Sequence, residues 1–343
     1  MARWRPSTLY ASNKHGYTSF MSAHRRTPAK RLPARTLVVD TEEAGRRVDN
    51  YLLARLKGVP RSHVYRILRR GEVRVNRGRV KAHVRLHAGD EIRLPPLEEP
   101  ALPARRAPAR VYPEIEALIV YESGDLLAVN KPAGLAVHGG SGISAGLIER
   151  LRASHPGTAR LELVHRLDRE TSGCVIIAKR RSVLRRLHEA LRSRNVEKRY
   201  ISLVRGLWTE REKVELPLRR DIRRGGERIV EVDRREGLPS ATCFHPLSRC
   251  TVEGWELTLV EARLITGRTH QIRVHSAARD HPIAGDEKYG DRQLNKALRR
   301  HGLSRMYLHA VEARLPPEVL GHPLRLHAPL PPVLETLNRR LGL

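Results

Sequence analysis

An α+β architecture is predicted by three observations. Residues 46 to 95 carry helical and hairpin patterns, with 14 Lys and Arg against four acids. A proline-rich stretch follows, and from Ile115 onward short apolar runs recur with irregular connections and few helical stripes. The expectation is a small basic module, then a larger domain built on a largely antiparallel, mixed β-sheet with flanking helices and loops. At 343 residues the chain has material for two or three such units.

Composition sets the boundaries. Residues 1–36 hold no acid, carry eight Lys and Arg and show no apolar periodicity, so a disordered basic arm is expected there. Within residues 37–95, Val48, Leu52, Leu53 and Leu56 recur at helical spacing. Gly58-Val59-Pro60 then breaks the chain, and Ser62 is expected to cap a second helix ending at Gly71. Val64, Ile67 and Leu68 make one face of that helix, while Arg66, Arg69 and Arg70 share another and are spaced to meet successive phosphates. Val73, Val75 and Val80 around Asn76-Arg77-Gly78 read as a hairpin. Pro96, Pro100, Pro103 and Pro108 mark an extended linker over residues 96–113, leaving 114–343 as the second domain. There the runs 126–129, 174–178, 200–204 and 256–260 read as strands. Residues 182–194, with Leu184, Leu187 and Leu191 in one stripe, read as a helix.

Charge narrows the function. With 65 Lys and Arg against 37 Asp and Glu, the net charge is +28 and the pI ≈ 11.1, which points to a polyanionic partner, nucleic acid first. No apolar run approaches the ~20 residues of a membrane-spanning helix. Cys174, Cys243 and Cys250 form no Cys-x-x-Cys pair, and His270, His275 and His281 lack a ligand spacing, so neither a disulfide framework nor a metal site is expected. The protein is expected to be cytoplasmic; the arm, resembling a transit peptide in composition, leaves an organelle as the alternative.

His165-Arg166-Leu167-Asp168-Arg169-Glu170-Thr171-Ser172-Gly173 places one carboxylate among cations and hydroxyls between two apolar runs. Alone, such a string reads as a solvated turn with local ion pairs. Three further segments concentrate unusual side chains: Asn130-Lys131-Pro132 with 137–140, Glu197-Lys198-Arg199-Tyr200, and residues 266–275. The last alternates like a polar strand.

Together these segments resemble the pseudouridine synthases of the ribosomal large subunit type. His-Arg-Leu-Asp-x-x-Thr-Ser-Gly looks like that family's catalytic loop, and Thr266-Gly267-Arg268-Thr269-His270-Gln271-Ile272-Arg273-Val274-His275 like its later active-site strand. Gly285-Asp286 with Tyr289-Gly290, and Arg305 to Ala310, continue the pattern. The module at 37–95 resembles the S4-type RNA-binding domain through Gly71-Glu72-Val73-Arg74-Val75-Asn76. The resemblance spans residues 37 to 340.

It implies isomerisation of uridine to pseudouridine in large-subunit ribosomal RNA, without cofactor or metal; a monomer is expected, though no motif encodes the oligomeric state. Asp168 maps onto the family's essential aspartate, and three roles stay open for it: attack on the ribose, addition to the uracil, or proton removal from the sugar. Arg273 matches the cation that partners this carboxylate, with Arg268 as runner-up. Arg166 matches the arginine inserted as the target nucleotide leaves the stack. Tyr200 matches the tyrosine that stacks on the uracil, and Ile272 is placed to pack on its other side. His165 and His270 are expected to support the site by hydrogen bonds, Thr171 and Ser172 to fix the loop backbone. Aromatic residues make up only 4% of the chain, so RNA binding should rest on arginine–phosphate contacts and weaken with salt.

Two other readings compete. A non-catalytic ribosomal RNA-binding or assembly factor would need only the basic module and the charge. Hydrolysis of a glycosidic bond by Asp168 and Glu170 would need a held water that no segment supplies.

Overall fold

The computed structural model describes residues 30–56, 59–99, 112–139, 145–155, 161–224 and 227–343. The expected arm lies outside these residues up to position 29, as do 100–111 of the expected linker, Gly58 of the expected helix break and Gly140. The chain divides into two compact units, Met1–Arg105 and Arg106–Leu343.

The first unit runs β1 (Lys30–Leu32), β2 (Arg35–Val38), α1 (Val48–Arg55), α2 (Arg61–Arg70), β3 (Arg74–Val75), β4 (Gly78–Arg79), β5 (Glu91–Leu94) and β6 (Leu97–Glu99). Four strands form a sheet in the order β2-β5-β3-β4, and β1 pairs with β6. On β5, Ile92 and Leu94 face the core while Glu91 and Arg93 are exposed, the alternation expected of a half-buried strand. The core also takes Tyr51 and Leu52 from α1 and Val64, Ile67 and Leu68 from α2. Tyr65 Oη donates to buried Asp49 at 2.9 Å, tying the two helices.

Three expectations need correction here. Pro60, not Ser62, stands at the cap of α2, because its fixed φ already sets the extended entry two residues earlier. Strands β1 and β2 begin inside the stretch expected to be an arm, and β6 lies inside the expected linker. All three are short and charged, and their partners are distant in sequence, so no local pattern marks them. Gly71 closes α2 at φ 69 as expected, and Arg66, Arg69 and Arg70 are exposed on it. The hairpin turns at Asn76 (φ 49) and Arg77 (φ 66), both left-handed.

In the second unit a 3-10 turn, Pro113–Leu118, leads to β7 (Ile119–Glu122), β8 (Leu126–Lys131), α3 (Leu147–Ser154), β9 (Glu162–Leu163), β10 (Ser172–Ala178) and α4 (Arg181–Arg192). There follow β11 (Glu197–Arg205), β12 (Glu212–Glu215), a hairpin of β13 (Leu218–Arg224) and β14 (Glu227–Val232), β15 (Ala241–Val252) and β16 (Trp255–Leu264). The chain ends with α5 (Gln271–Ala277), α6 (Arg292–Arg300), β17 (Leu308–Leu315), α7 (Pro317–Leu320), β18 (Leu324–His327) and α8 (Pro332–Leu341). Ten strands build one sheet with the path β12-β15-β16-β11-β17-β10-β8-β7, β18 pairing with β17 and β9 with β10. Among the described strands only β10 and β17 run parallel, so the sheet is mixed and largely antiparallel, as the sequence predicts.

Both faces of this sheet are covered, which explains the unbroken apolar runs. On β10, Val175 and Ile177 join the core shared with α3 and Ile272, while Cys174, Ile176 and Ala178 join the core under α4 and α7. On β11, Val204 faces the first of these, and Leu203 faces a third core with α6 and α8. Gly173, at φ 113, sits against β17 so closely that a Cβ would lie 2.3 Å from the Ala310 carbonyl oxygen. Gly173→Ala is therefore expected to cost about 3 kcal/mol or more, from backbone strain and a clash with main chain. Urea unfolding will measure it; a loss below about 1 kcal/mol would show that the strand shifts freely.

Candidate active site

The loop between β9 and β10 carries Asp168 and is fixed from three sides. Lys131, wholly buried at the end of β8, donates from Nζ to the carbonyls of Pro132, Leu135 and Arg169 at 2.9, 2.9 and 3.0 Å. Removal from water pushes this ammonium down to about 7, while three carbonyl acceptors match its three donors. Gly134 N–H donates to the Arg169 carbonyl, and Thr171 N–H to that of Asp168. At the root of β10, Ser172 Oγ lies 2.8 Å from His309 Nδ1 and accepts from Arg305 at 2.8 Å. His309 Nε2 reaches the Ala328 carbonyl, which makes it the donor there and Nδ1 the acceptor for the serine. Burial keeps His309 neutral by pushing it to about 4.

The segment at 266–275 is not a strand. His270 adopts a left-handed φ of 52, and α5 starts at the next residue. Gln271 turns the chain: its Oε1 accepts from Thr266 Oγ1 and Arg268 N–H, and its Nε2 donates to the Ala241 carbonyl and Thr242 Oγ1. Residues 271 to 276 are all buried, so the helix has no polar face to betray its period, and alternation of Ile272, Arg273, Val274 and His275 imitates a strand.

A cavity of about 640 Å³ opens where this turn, the Asp168 loop and β11 meet. Asp168, His165, Arg166, Tyr200, Lys198, Arg268, His270, Ile272 and Arg273 all line it. Arg273 is the hub. Its Nε and Nη2 donate to Asp286 at 2.7 and 2.8 Å, and its Nη1 donates to Asp168 Oδ2 at 3.2 Å. Asp286 is 1% exposed. Burial opposes its ionisation, but the Arg273 fork and two backbone N–H groups hold it below the usual carboxylate range. One guanidinium thus joins two carboxylates, and Asp168, being half-buried, keeps a side toward the cavity.

The other candidates divide. Tyr200 is buried, and loss of water, followed by the charge of Asp168, pushes its phenol up. Ile272 is 4% exposed. Arg268 is exposed and bonds through Nε to the Pro239 carbonyl, away from Asp168. Arg166 is exposed on the cavity wall. His165 Nε2 accepts from Ile176 N–H at 3.2 Å, and desolvation pushes it to about 4. Arg66, Arg69 and Arg70 belong to the first unit and line no part of this cavity. Asp286, Lys198 and Tyr289 carry no sequence-predicted role; for Asp286 and Tyr289 the only signal in the chain is the Gly285-Asp286 and Tyr289-Gly290 pattern. Among the described residues no three His, Cys, Asp or Glu side chains converge as a metal site.

Residues 125–278 match the RNA pseudouridylate synthase family and residues 46–92 the S4 domain. The chain belongs to the pseudouridine synthase family and is an RNA-modifying isomerase. It is 48% identical over 305 residues to ribosomal large subunit pseudouridine synthase C of Pasteurella multocida, covering 88% of this chain and 92% of that protein. Against ribosomal large subunit pseudouridine synthase C of Escherichia coli K12 it is 46% identical over 324 residues, 92% of this chain and 98% of the relative. Among solved structures, human RNA pseudouridylate synthase domain containing 4 aligns with a TM-score of 0.55 at 27% identity, over 67% of this chain and 95% of that one. Human RNA pseudouridylate synthase domain containing 1 aligns with a TM-score of 0.52 at 29% identity, over 62% and 83%.

Proposed function

We propose that this enzyme converts particular uridines of large-subunit ribosomal RNA to pseudouridine, with Asp168 as the essential carboxylate. The observation that carries the assignment is the triad of Asp168, Arg273 and Asp286. Asp286 fixes the guanidinium on its Nε edge, and the guanidinium aims an Nη1–H at Asp168. The carboxylate is thereby oriented without being enclosed. A cavity of about 640 Å³ is ample for one nucleoside, and it has Tyr200 and Ile272 among its walls for the uracil to lie against. Nothing but a flipped nucleotide reaches such a cleft from a duplex, and Arg166, exposed beside Asp168, is the side chain assigned to fill the vacated stack. The enzyme acts as a cytoplasmic monomer.

Unmodified large-subunit RNA, incubated with the protein and mapped by carbodiimide-dependent reverse-transcription stops, is expected to gain stops at discrete uridines. Binding without any stop would leave only the assembly-factor reading. The S4 module is assigned to RNA delivery through Arg66, Arg69 and Arg70. Changing all three to Ala should raise KM for RNA and lower the slope of log affinity against log salt by roughly 2–3, leaving kcat at saturating RNA unchanged. An unaltered salt slope would remove these arginines from the interface.

A further inference from the structure

Behind the cavity, Tyr289 touches three of the groups that surround Asp168. Its ring lies under the Arg273 guanidinium at 4.9 Å, its N–H donates to Asp286 Oδ1 at 3.1 Å, and its hydroxyl lies 2.8 Å from His270 Nδ1. The same hydroxyl accepts from the backbone N–H of Val230 at 2.9 Å. Val230 belongs to β14, and it packs with Leu218 of β13 and Val274 of α5, so the hairpin root is seated on the active-site helix. We propose that Tyr289 is a positioning residue: anchored by the hairpin backbone, its hydroxyl holds His270 in the tautomer whose Nε2–H faces the Asp168 carboxylate.

The chemistry follows from donor counting. A phenol has one proton to give. Among the described residues the Tyr289 hydroxyl bonds only Val230 N–H, which is itself a donor, and His270 Nδ1. Giving that proton to Nδ1 is the arrangement that leaves no hydroxyl proton unmatched, and it takes Nδ1 to be bare. Desolvation, ahead of the opposing pull of Asp168, pushes His270 below its ordinary pKa, with Arg273, Lys288 and Asp286 as its other charged neighbours. A neutral ring with a bare Nδ1 carries its proton on Nε2, and that atom lies 3.8 Å from Asp168 Oδ2. The left-handed turn at His270 gives the ring this reach. Asp168 is then faced by the Arg273 guanidinium, which donates to it at 3.2 Å, and by the His270 Nε2–H, poised 3.8 Å away, and Tyr289 contacts both side chains. A shift of the hairpin root would disturb both at once.

The proposal rests on Asp168 being the essential carboxylate. Its test is Tyr289→Phe, which keeps the ring, together with His270→Gln and the double variant, assayed for kcat and KM on RNA. Tyr289→Phe is expected to lower kcat about tenfold with KM within about twofold, the worth of one oriented hydrogen bond. In the His270→Gln background it should change kcat little further, because the hydroxyl acts through the imidazole. Ring-nitrogen NMR of wild type should find His270 protonated at Nε2 only, with the Phe variant turning to a mixture. Additive kcat losses, a loss confined to KM, or wild-type His270 protonated at Nδ1 would each overturn the proposal. An active Asp168→Asn protein would instead remove the reading beneath it, while the NMR result would still decide the tautomer.

Discussion

Asp168→Asn is expected to lower kcat by roughly four orders of magnitude or more while leaving the fold and RNA affinity nearly unchanged. The amide fills the same volume and still accepts the 3.2 Å hydrogen bond from Arg273 through its oxygen. It has neither the charge nor the basicity that any of the three possible roles demands, whether attack on the ribose, addition to the uracil or removal of a proton. Single-turnover mapping of pseudouridine on limiting RNA, paired with filter binding, separates the two effects. Modification by the Asn variant at wild-type rate would take Asp168 out of the reaction.

The second large effect is expected at Arg273. Arg273→Met leaves Asp286, 1% exposed, without the fork that balances its charge. Removing one partner of a buried ion pair costs about 3–5 kcal/mol. It also withdraws the donor that aims Asp168, so activity should fall by at least about 100-fold. Arg273→Lys should restore charge but not geometry, since an ammonium cannot bridge both oxygens of Asp286 and also reach Asp168. Pairing Arg273→Met with Asp286→Asn should recover part of the lost stability and none of the activity, because the buried charge is gone but Asp168 stays unaimed. Urea unfolding and single-turnover rates report these separately. Stability equal to wild type in Arg273→Met would show that water reaches Asp286, and the triad would lose its structural argument.

Much of the fold was legible because it is written in local periods. The continuous runs Leu126–Val129 and Cys174–Ala178 are strands buried on both faces, and their alternate residues enter different cores. The stripe Leu184, Leu187 and Leu191 lies in the helix Arg181–Arg192. The asparagine-centred hairpin and the glycine that ends α2 carry their conformations in single residues. What misled was any segment whose period was overwritten. In α5 the side chains that would be polar and exposed on an ordinary helix are buried in pairs, Arg273 with Asp286 and His275 with Ser240 and the Leu216 carbonyl. In β1 and β6 the strands are three residues long and stand only by pairing with each other.

By itself the sequence determined that this is a basic α+β protein with a carboxylate loop between buried strands, and its motifs named the family. Those properties depend on composition, on spacing within a few turns, and on ordered short strings. The family resemblance put Arg273 ahead of Arg268 as the cation beside Asp168, and the tertiary structure supplied the geometry: Arg273, facing inward from a helix, donates to Asp168 across 105 residues of chain, while Arg268 bonds the Pro239 carbonyl. The tertiary structure also brought this cation onto a second carboxylate, and placed the hydroxyl of a tyrosine tied to a distant hairpin 2.8 Å from the histidine beside it. Such contacts form where sheet order brings remote segments together and burial makes every unmatched charge costly, and neither condition leaves a mark in any local stretch of the chain.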